Sequence, residues 1–261
     1  MAMKLVARGV SYAYIPGKLV LHGVDLTVEG GSFVFLLGAN GSGKTTLLEC
    51  LCGLRSPVRG EVLLGEQRLS ALPLRERAKW VAYVPQFAET VFAYTVEEMV
   101  LFGRAPHIGP FGQPGRADWK KASHALDLVG LDGLRSRSMN ALSGGEKRLV
   151  LIARALAQEA PFLLLDEPDA HLDPANQHRV LSVIRALVKE GLGVVASTHN
   201  PNSALLYGDE AVLLRAGKVL ARGQPSCALT AEALAEAYGI PFRVLWDGQG
   251  PPAVLPRTDS P

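Results

Sequence analysis

Eight consecutive residues of the chain have the types and spacing needed to hold a chain of phosphates. They run from Gly38 to Thr45 and fit the pattern Gly-x-x-x-x-Gly-Lys-Ser/Thr. Glycines let backbone N–H groups wrap the phosphates, Lys44 adds a positive charge, and Thr45 offers a hydroxyl to Mg²⁺. An apolar run before the loop and a helical pattern after it favour a nucleoside triphosphate site over a simple glycine-rich turn. The predicted nucleotide-binding residues are Gly38, Asn40, Gly41, Ser42, Gly43, Lys44, Thr45 and Thr46.

A pair of carboxylates follows another apolar run, Phe162–Leu165. Asp166, at the tip of this predicted strand, suits a Mg²⁺ site because hard cations prefer oxygen ligands. Glu167 is placed to act as a general base toward a water that attacks the γ-phosphate. Adjacent acids after a strand more often form a solvated turn, but a phosphate loop in the same chain favours the catalytic interpretation.

The segment Leu142–Glu146 has the composition of a helix start. Ser143 is a good N-cap, and Gly144 and Gly145 expose backbone N–H groups to an anion. Apolar residues at helical spacing follow it. Taken alone, the segment fits an ordinary helix cap as well as an anion site.

A sheet with parallel strands is needed to position these motifs. Four short apolar runs are typical of strands buried on both faces, and helical patterns separate them. The turn Gly65–Gln67 between two apolar segments predicts an antiparallel hairpin. The predicted fold class is therefore α/β, with a largely parallel sheet, an antiparallel β subdomain and an inserted helical subdomain. The four runs are Phe33–Leu37, Val81–Val84, Phe162–Leu165 and Val194–Ser197.

The same patterns divide the chain into a core, an insert and a tail. We assign residues 1–86 and 159–247 to an α/β nucleotide-binding core with its β subdomain. Residues 87–158 have few strand signals, a stretch rich in proline and glycine and a helical pattern, so we expect the helical subdomain there. Residues 248–261 have no periodicity and contain several prolines and glycines, so we expect a loose tail.

The composition limits the class of protein. Of 261 residues, 48% are hydrophobic and 20% charged, which is enough apolar material for a packed core and too much for disorder. The 27 basic and 25 acidic residues nearly balance, which argues against nucleic acid as a partner. No apolar run approaches the ~18 residues of a membrane helix, and the first residues lack a signal-peptide pattern. Because the three cysteines also form no disulfide framework, we expect a soluble, cytosolic protein.

The motifs together resemble those of the ATP-binding cassette (ABC) ATPases, from about residue 5 to residue 225. Leu142–Glu146 is similar to the signature sequence of that family, in which two copies pair head to tail and the signature of one faces the γ-phosphate held by the other. The resemblance implies a P-loop NTPase fold, ATP and Mg²⁺ as ligands, and ATP hydrolysis as the activity. It also implies a second copy of the chain as partner, with Ser143, Gly144 and Gly145 at the nucleotide of that copy.

Four further roles come from the same resemblance. Gln86 resembles the Q-loop glutamine that senses Mg²⁺ and water, and His199 resembles the switch histidine that touches the γ-phosphate. Asp173 is similar to the D-loop aspartate, and Tyr14 stands where the family places an aromatic ring on adenine, with Tyr12 as the alternative. The implied catalytic residues are Glu167, His199 and Gln86, and the implied metal ligands are Thr45, Gln86 and Asp166.

A finer resemblance lies in the insert. Thr95–His107 resembles the corresponding segment of ATPases from importers of iron–siderophore complexes, haem and vitamin B12, and Tyr238–Pro241 resembles the Tyr-Gly turn near their C-termini. This resemblance implies a subunit that powers uptake of an iron chelate, haem or a cobalamin-type compound through separate transmembrane permease subunits. The subunit would lie peripherally on the cytoplasmic face of the cell membrane. A periplasmic or surface substrate-binding protein would be an indirect partner.

Three positions depart from the family pattern. Lys147–Leu149 stands where Arg-Gln-Arg is common, Asp169 where Thr is common, and Asn200 where Asp is common. None of these residues handles phosphate directly, so we expect hydrolysis to be retained.

Two other classes of function stay open at this stage. A non-transport ABC ATPase acting on a soluble assembly often has duplicated cassettes or long coiled-coil insertions, and neither appears in this sequence. A P-loop kinase acting on a small molecule is disfavoured by the signature-like segment and by His199.

Overall fold

The computed structural model describes residues 3–86, 94–109, 111–246, 248 and 250–257. The strands are β1 (Lys4–Ile15), β2 (Lys18–Glu29), β3 (Phe33–Leu37), β4 (Arg59–Leu64), β5 (Gln67–Arg68), β6 (Val81–Val84), β7 (Phe162–Leu165), β8 (Gly193–Ser197), β9 (Glu210–Arg215), β10 (Lys218–Gly223), β11 (Phe242–Leu245) and β12 (Ala253–Pro256). The α-helices are α1 (Lys44–Leu51), α2 (Leu74–Ala78), α3 (Val96–Leu101), α4 (Arg116–Leu128), α5 (Gly144–Leu156), α6 (Pro174–Lys189), α7 (Pro201–Tyr207), α8 (Pro225–Ala228) and α9 (Ala231–Tyr238). Single 3₁₀ turns lie at Leu69–Ala71, Phe102–Arg104, Asp132–Leu134 and Met139–Ala141.

The central sheet has six strands in the order β10-β9-β3-β8-β7-β6. Its neighbours pair in parallel except for β9 and β10, which form an antiparallel edge. Every residue of β3, β7 and β8 is buried, as expected for strands covered on both faces. The four predicted strands all lie in this sheet, and the predicted largely parallel α/β fold is confirmed.

Successive residues of β3 belong to two different cores. Phe33, Phe35 and Leu37 pack in the core that includes α3, α4, α5 and α6. Val34 and Leu36 pack in the core formed with β1, β2 and α1. This alternation follows from the two-residue period of a strand. The carboxyl end of β3, from which the phosphate loop departs, is thereby fixed from both sides.

A second sheet is antiparallel, with the strand order β2-β1-β4-β5. Leu64 pairs with Gln67 across a two-residue turn, and Gly65 in that turn has a φ of 59°, which glycine adopts without strain. The predicted hairpin and antiparallel β subdomain are therefore confirmed.

In the described residues between β6 and β7, the α-helices are α3, α4 and α5. The helices α3, α4 and α5 pack against one another, and their apolar faces join the core on one side of the sheet. The predicted start of the helical subdomain, residue 87, lies outside the described residues, and the predicted domain boundaries stay a prediction. Within the described part of the chain, no helix has the length and apolar content needed to span a membrane.

The expectation of a loose tail from residue 248 was wrong for residues 253–256. These residues form β12, which pairs antiparallel with β11 from Phe242↔Pro256 to Leu245↔Ala253. Val254 is buried and exchanges hydrogen bonds with the side chain of Asn202, which is distant in the sequence. The order of this segment thus comes from tertiary contacts, which local periodicity does not report. Residues 258–261 lie outside the described part of the chain.

Candidate active site

The loop between β3 and α1 depends on backbone conformations and close contacts that only glycine allows. Gly38, Gly41 and Gly43 have φ values of 141°, 77° and 104°. A Cβ atom on Gly38 would lie 2.3 Å from the carbonyl oxygen of Leu214, and one on Gly43 would lie 2.7 Å from Leu21 Cδ2. The loop is therefore a backbone cradle at the start of a helix, which is an arrangement suited to phosphate.

Lys44 lies across this cradle. Its Nζ donates hydrogen bonds to the carbonyl oxygens of Gly38 at 2.8 Å and Ala39 at 3.3 Å, and the residue is buried. Burial lowers the pKa of Lys44, while the charges of Glu167 and Asp166 oppose that shift. The ammonium group is thus held by backbone dipoles, in a place where an anion would stabilise its charge.

Ser42 gives a direct indication that the loop fits a phosphate. Its Oγ is buried and has no hydrogen-bond partner among the described residues. A buried hydroxyl without a partner costs about 1–3 kcal/mol, which a phosphate oxygen in the cradle would offset. The donors present are those that a triphosphate requires.

The loop lies in a cleft of about 1090 Å³. This volume is sufficient for a nucleotide-sized ligand. The cleft brings together most of the predicted site residues from five separate parts of the chain. Those that line it are Tyr14, Asn40, Gly41, Ser42, Gly43, Lys44, Thr45, Thr46, Gln86, Glu167 and His199.

Glu167 is held at the end of β7 in a strained conformation. Its φ is 48°, which is uncommon for a residue other than glycine. Its backbone N–H donates to Ser197 Oγ at 2.9 Å, and that hydroxyl donates to Asp166 Oδ1 at 2.5 Å. Ser197, at the end of the neighbouring strand β8, therefore orients both carboxylate residues. No motif in the sequence singles out Ser197 for this role.

The Glu167 carboxylate meets two other predicted catalytic residues. Gln86 Nε2 donates to Glu167 Oε2 at 2.8 Å, and His199 Nδ1 lies 3.8 Å from the same oxygen. The structure thus places Gln86, Glu167 and His199 together at the mouth of the cleft. Such a cluster can bind a water near a phosphate and accept its proton.

The three predicted metal ligands differ in position. Thr45 and Gln86 line the cleft, whereas Asp166 is 2% exposed and is held behind it by Ser197. In the described residues, no group of three or more His, Cys, Asp or Glu side chains could hold a metal ion on its own. This donor set fits Mg²⁺, which binds through few protein ligands together with substrate phosphates.

Tyr14 is the better of the two aromatic candidates for adenine. It lines the cleft with its ring half exposed, and its Oη lies 3.1 Å from Thr46 Oγ1. The guanidinium of Arg55 lies 4.6 Å from the Tyr14 ring centroid, and Tyr12 packs edge-on against the same ring at 5.0 Å. Tyr12 is therefore a support for Tyr14, which remains the predicted stacking residue.

The signature-like residues lie outside the cleft of their own chain. None of the described residues that line that cleft comes from 143–145. Ser143 caps α5 in a reciprocal arrangement: the Glu146 N–H donates to Ser143 Oγ, and the Ser143 N–H donates to the Glu146 carboxylate. The latter bond lowers the pKa of Glu146. The ordinary cap is therefore present, and Ser143 and Gly144 are exposed beside it.

Asp173 is joined to the signature through a shared neighbour. A Cβ atom on Gly145 would lie 2.5 Å from Asn176 Oδ1, so only glycine fits between the two helix starts. Asp173 caps α6 and accepts hydrogen bonds from the backbone N–H and the side-chain amide of Asn176, at 3.0 and 2.6 Å. The signature segment and the D-loop segment thus form one surface.

Two departures from the family pattern have a structural reason. Asp169 is buried and accepts hydrogen bonds from the hydroxyls of Thr198 and Ser203, so its carboxylate holds the loop that bears His199. Asn200 caps α7 by accepting from the Asn202 N–H at 3.0 Å, which is a role that Asp also performs. Neither substitution disturbs the groups that line the cleft.

The third departure includes a buried arginine, Arg148, which contacts the backbone beside two site residues. Arg148 donates to the carbonyl oxygens of Pro85 at 2.8 Å, Gln86 at 3.4 Å and Asp166 at 2.5 Å. Burial lowers the pKa of Arg148 to about 10, which still leaves it charged at neutral pH. Helix α5 is thereby tied to the backbone of both Gln86 and Asp166. These contacts join segments far apart in the chain, which no local motif could report.

Replacing Arg148 with methionine should lower the free energy of unfolding by about 2–4 kcal/mol. The buried Asp166 carbonyl and the partly buried carbonyls of Pro85 and Gln86 would lose a charged donor, and an unsatisfied buried group costs about 1–3 kcal/mol before relaxation. The change is measured by denaturant unfolding. Lys147→Met, one position earlier and exposed, is the control and should stay within about 0.5 kcal/mol of the wild-type protein. Equal stability of the two variants would contradict the proposed importance of these bonds.

Known proteins are similar to this chain over most of its length. A family model described as "ABC transporter" matches residues 21–170, more than half of the chain. The hemin import ATP-binding protein HmuV of Burkholderia ambifaria is 38% identical over 257 residues, which cover 91% of this chain and 94% of that protein. A Helicobacter pylori protein named for iron chelatin transport, also an ATP-binding protein, is 35% identical over 247 residues, covering 94% of this chain and 96% of its own.

A solved structure resembles nearly the whole chain. It is an inward-facing metal-chelate type ABC transporter, whose matching chain has a TM-score of 0.86 and 31% sequence identity, with 98% of both chains covered. The similarity therefore extends from the phosphate loop through the helical segment to the C-terminal hairpin.

Proposed function

The chain belongs to the ABC transporter family, and from this premise we propose that it is the ATP-hydrolysing subunit of an importer for haem or another iron chelate. ATP binding and ATPase activity follow from membership of the family. The observation that carries the finer proposal is the similarity, over nearly the full length, to relatives named for hemin import and iron chelatin transport. A cobalamin-type cargo stays a prediction from the sequence. The same names do not favour the alternative of a non-transport ATPase.

The described residues support separate roles for different side chains in binding and hydrolysing Mg·ATP. We assign the phosphates to the backbone of the glycine loop with Lys44 and Ser42, and the adenine to Tyr14. Thr45 and Gln86, which line the cleft, would hold Mg²⁺ with Asp166 behind them, and the bound ion would supply positive charge to the phosphates. Glu167 would accept the proton of the attacking water.

The other groups then act on Glu167 and the phosphate. Gln86 holds one carboxylate oxygen of Glu167, and His199, whose Nδ1 lies 3.8 Å from that oxygen, would contact the γ-phosphate. Because Gln86 is anchored through its carbonyl to Arg148 on α5, a shift of the helical segment would be felt at the catalytic carboxylate. This is a physical route by which hydrolysis and movement of a partner can be coupled.

The position of the signature supports a dimer as the active form. Ser143, Gly144 and Gly145 do not line the cleft of their own chain, yet they form the N-terminus of α5 with Ser143 and Gly144 exposed, and Asn176 joins this start to Asp173. We propose that a second copy, paired head to tail, places these residues at the γ-phosphate of the first. Each site would then be complete only in the dimer.

The remaining partners follow from the same proposal. Transport requires transmembrane permease subunits, to which this chain would bind on the cytoplasmic face of the membrane through the surface around Gln86 and the helical segment. A substrate-binding protein outside that membrane would deliver the cargo to the permease. No nucleic acid is expected as a partner, in keeping with the balanced charge of the chain.

An uptake assay tests the proposal. In cells that lack this chain, uptake of radiolabelled haem, ferric chelates and cobalamin is measured after complementation with the wild-type gene or with Glu167→Gln. We expect wild-type complementation to restore uptake of haem or of a ferric chelate, and Glu167→Gln to fail. Unchanged uptake of all three compounds in cells lacking the chain would refute the importer assignment, and restoration of cobalamin alone would change the cargo.

A further inference from the structure

The end of α9 reaches back into the nucleotide cleft. Tyr238, its last residue, lines the cleft, and its Oη accepts a hydrogen bond from the Gly38 N–H at 3.2 Å. The same hydroxyl donates to the carbonyl oxygen of His199 at 3.5 Å. One side chain from the C-terminal part of the molecule therefore joins the first residue of the phosphate loop to the residue assigned to the γ-phosphate.

The C-terminal hairpin makes a second connection to the same region. The Asn202 side chain donates from Nδ2 to the Val254 carbonyl oxygen at 3.1 Å, and its Oδ1 accepts from the Val254 N–H at 2.9 Å. Val254, in β12, is 2% exposed. Asn202 lies in the first turn of α7, three residues after His199, so this paired contact fixes the start of that helix.

The loop that bears His199 is thus held by two separate sets of contacts. Asp169, which follows β7, accepts from Thr198 and Ser203, and the C-terminal part of the chain contributes Tyr238 and the Asn202–Val254 pair. The His199 side chain itself is 59% exposed. Its position is therefore set by the backbone on either side of it rather than by packing of the ring.

We propose that the C-terminal segment from α9 to β12 is a positioning element for His199, acting through the Tyr238 hydroxyl and the Asn202–Val254 pair. The proposal rests on the catalytic role assigned to His199 above. Tyr238 bonds the backbone of His199, and Asn202 lies three residues beyond it, so both would act through the loop that bears His199 and are positioning residues. Burial raises the pKa of Tyr238 to about 12, and the hydroxyl therefore keeps its proton and its donor role across the neutral range.

The first test removes single polar contacts and keeps the packing. Tyr238→Phe preserves the ring that packs on Phe242, with centroids 5.8 Å apart, and deletes only the hydroxyl. We expect kcat to fall about two- to tenfold while KM for ATP stays within about twofold, since a misplaced His199 affects turnover more than binding. Asn202→Ala should also lower kcat, because it removes the side-chain hydrogen bonds between Asn202 and Val254. The matched control is Tyr207→Phe, which removes a hydroxyl bonded to His178 at the far end of α7 and should leave both constants near wild type.

The decisive measurement is a double-mutant cycle with His199→Ala. If Tyr238 acts through His199, Tyr238→Phe should cause no further loss of kcat once the imidazole is absent. A loss of the same factor in both backgrounds would overturn the positioning proposal alone, as would wild-type kcat in both Tyr238→Phe and Asn202→Ala. Wild-type kcat in His199→Ala would overturn the catalytic role of His199 and this proposal with it. The single histidine variant therefore distinguishes failure of the assigned role from failure of the inference.

Discussion

Glu167→Gln should bind Mg·ATP with near wild-type affinity and hydrolyse it about 10²- to 10⁴-fold more slowly. The amide is nearly isosteric with the carboxylate, and its oxygen can still accept the hydrogen bond that Gln86 Nε2 donates. The backbone bond to Ser197 Oγ is also unaffected, so the geometry of the loop is kept. What is lost is the ability to take a proton from water. Steady-state phosphate release and equilibrium binding of ATP, measured on the same preparation, separate the two effects.

The control for this prediction is Glu190→Gln, which makes the same chemical change at an exposed residue that caps the end of α6. Its turnover should equal that of the wild-type protein. Normal turnover in Glu167→Gln would assign the base to another group, and reduced affinity in that variant would show that the carboxylate also shapes the nucleotide site. A tenfold or smaller loss would favour a role for Glu167 in orienting the water over proton transfer.

The parts of the site that could be predicted from the sequence are those that depend on contiguous residues. The phosphate loop is one segment whose glycine spacing and lysine already describe its backbone and charge, and Glu167 follows from an apolar strand that ends in two acids. Tyr14, Gln86 and His199 were found through resemblance to a family. That these three residues lie in one cleft was implied by the order of the family's motifs along the chain, and no local pattern indicates it.

The parts that could not be predicted depend on pairs distant in the chain. Ser197 bridges two carboxylate residues at the ends of adjacent strands, and Arg148 joins three carbonyl groups on two segments. Neither contact can be predicted from the neighbouring residues in the sequence. An arginine on a helix, for example, gives the same local hydrophobic pattern whether its side chain is buried or exposed. The prediction of a loose tail was wrong at residues 253–256 for the same reason. The order of that strand depends on Asn202, about fifty residues before Val254 in the chain.

Lys44→Ala should weaken the binding free energy of ATP by about 2–5 kcal/mol, which raises Kd for ATP roughly 30- to 4000-fold. The ammonium lies across the glycine cradle, where a phosphate chain would offer the anionic partner that the two loop carbonyls only partly replace. Alanine leaves the glycine conformations unchanged, so the loss measures the charge and its hydrogen bonds. Titration calorimetry with Mg·ATP gives the affinity directly.

The stability of this variant without nucleotide separates loss of binding from loss of folding. Burial lowers the pKa of Lys44, which means that the folded protein without nucleotide holds the charged form at a cost. Alanine removes that cost but also leaves the carbonyl oxygens of Gly38 and Ala39 without their donor, so the free energy of unfolding should change by no more than about 1 kcal/mol. The stabilisation that ATP gives the wild-type protein should be largely lost. Lys120→Ala, at an exposed position on α4, should keep the full stabilisation by ATP. The opposite result would be a Lys44→Ala protein that is less stable without ATP but is stabilised by ATP as strongly as the wild-type protein. Lys44 would then be a structural residue of the loop, and binding of the triphosphate would depend on the backbone cradle alone.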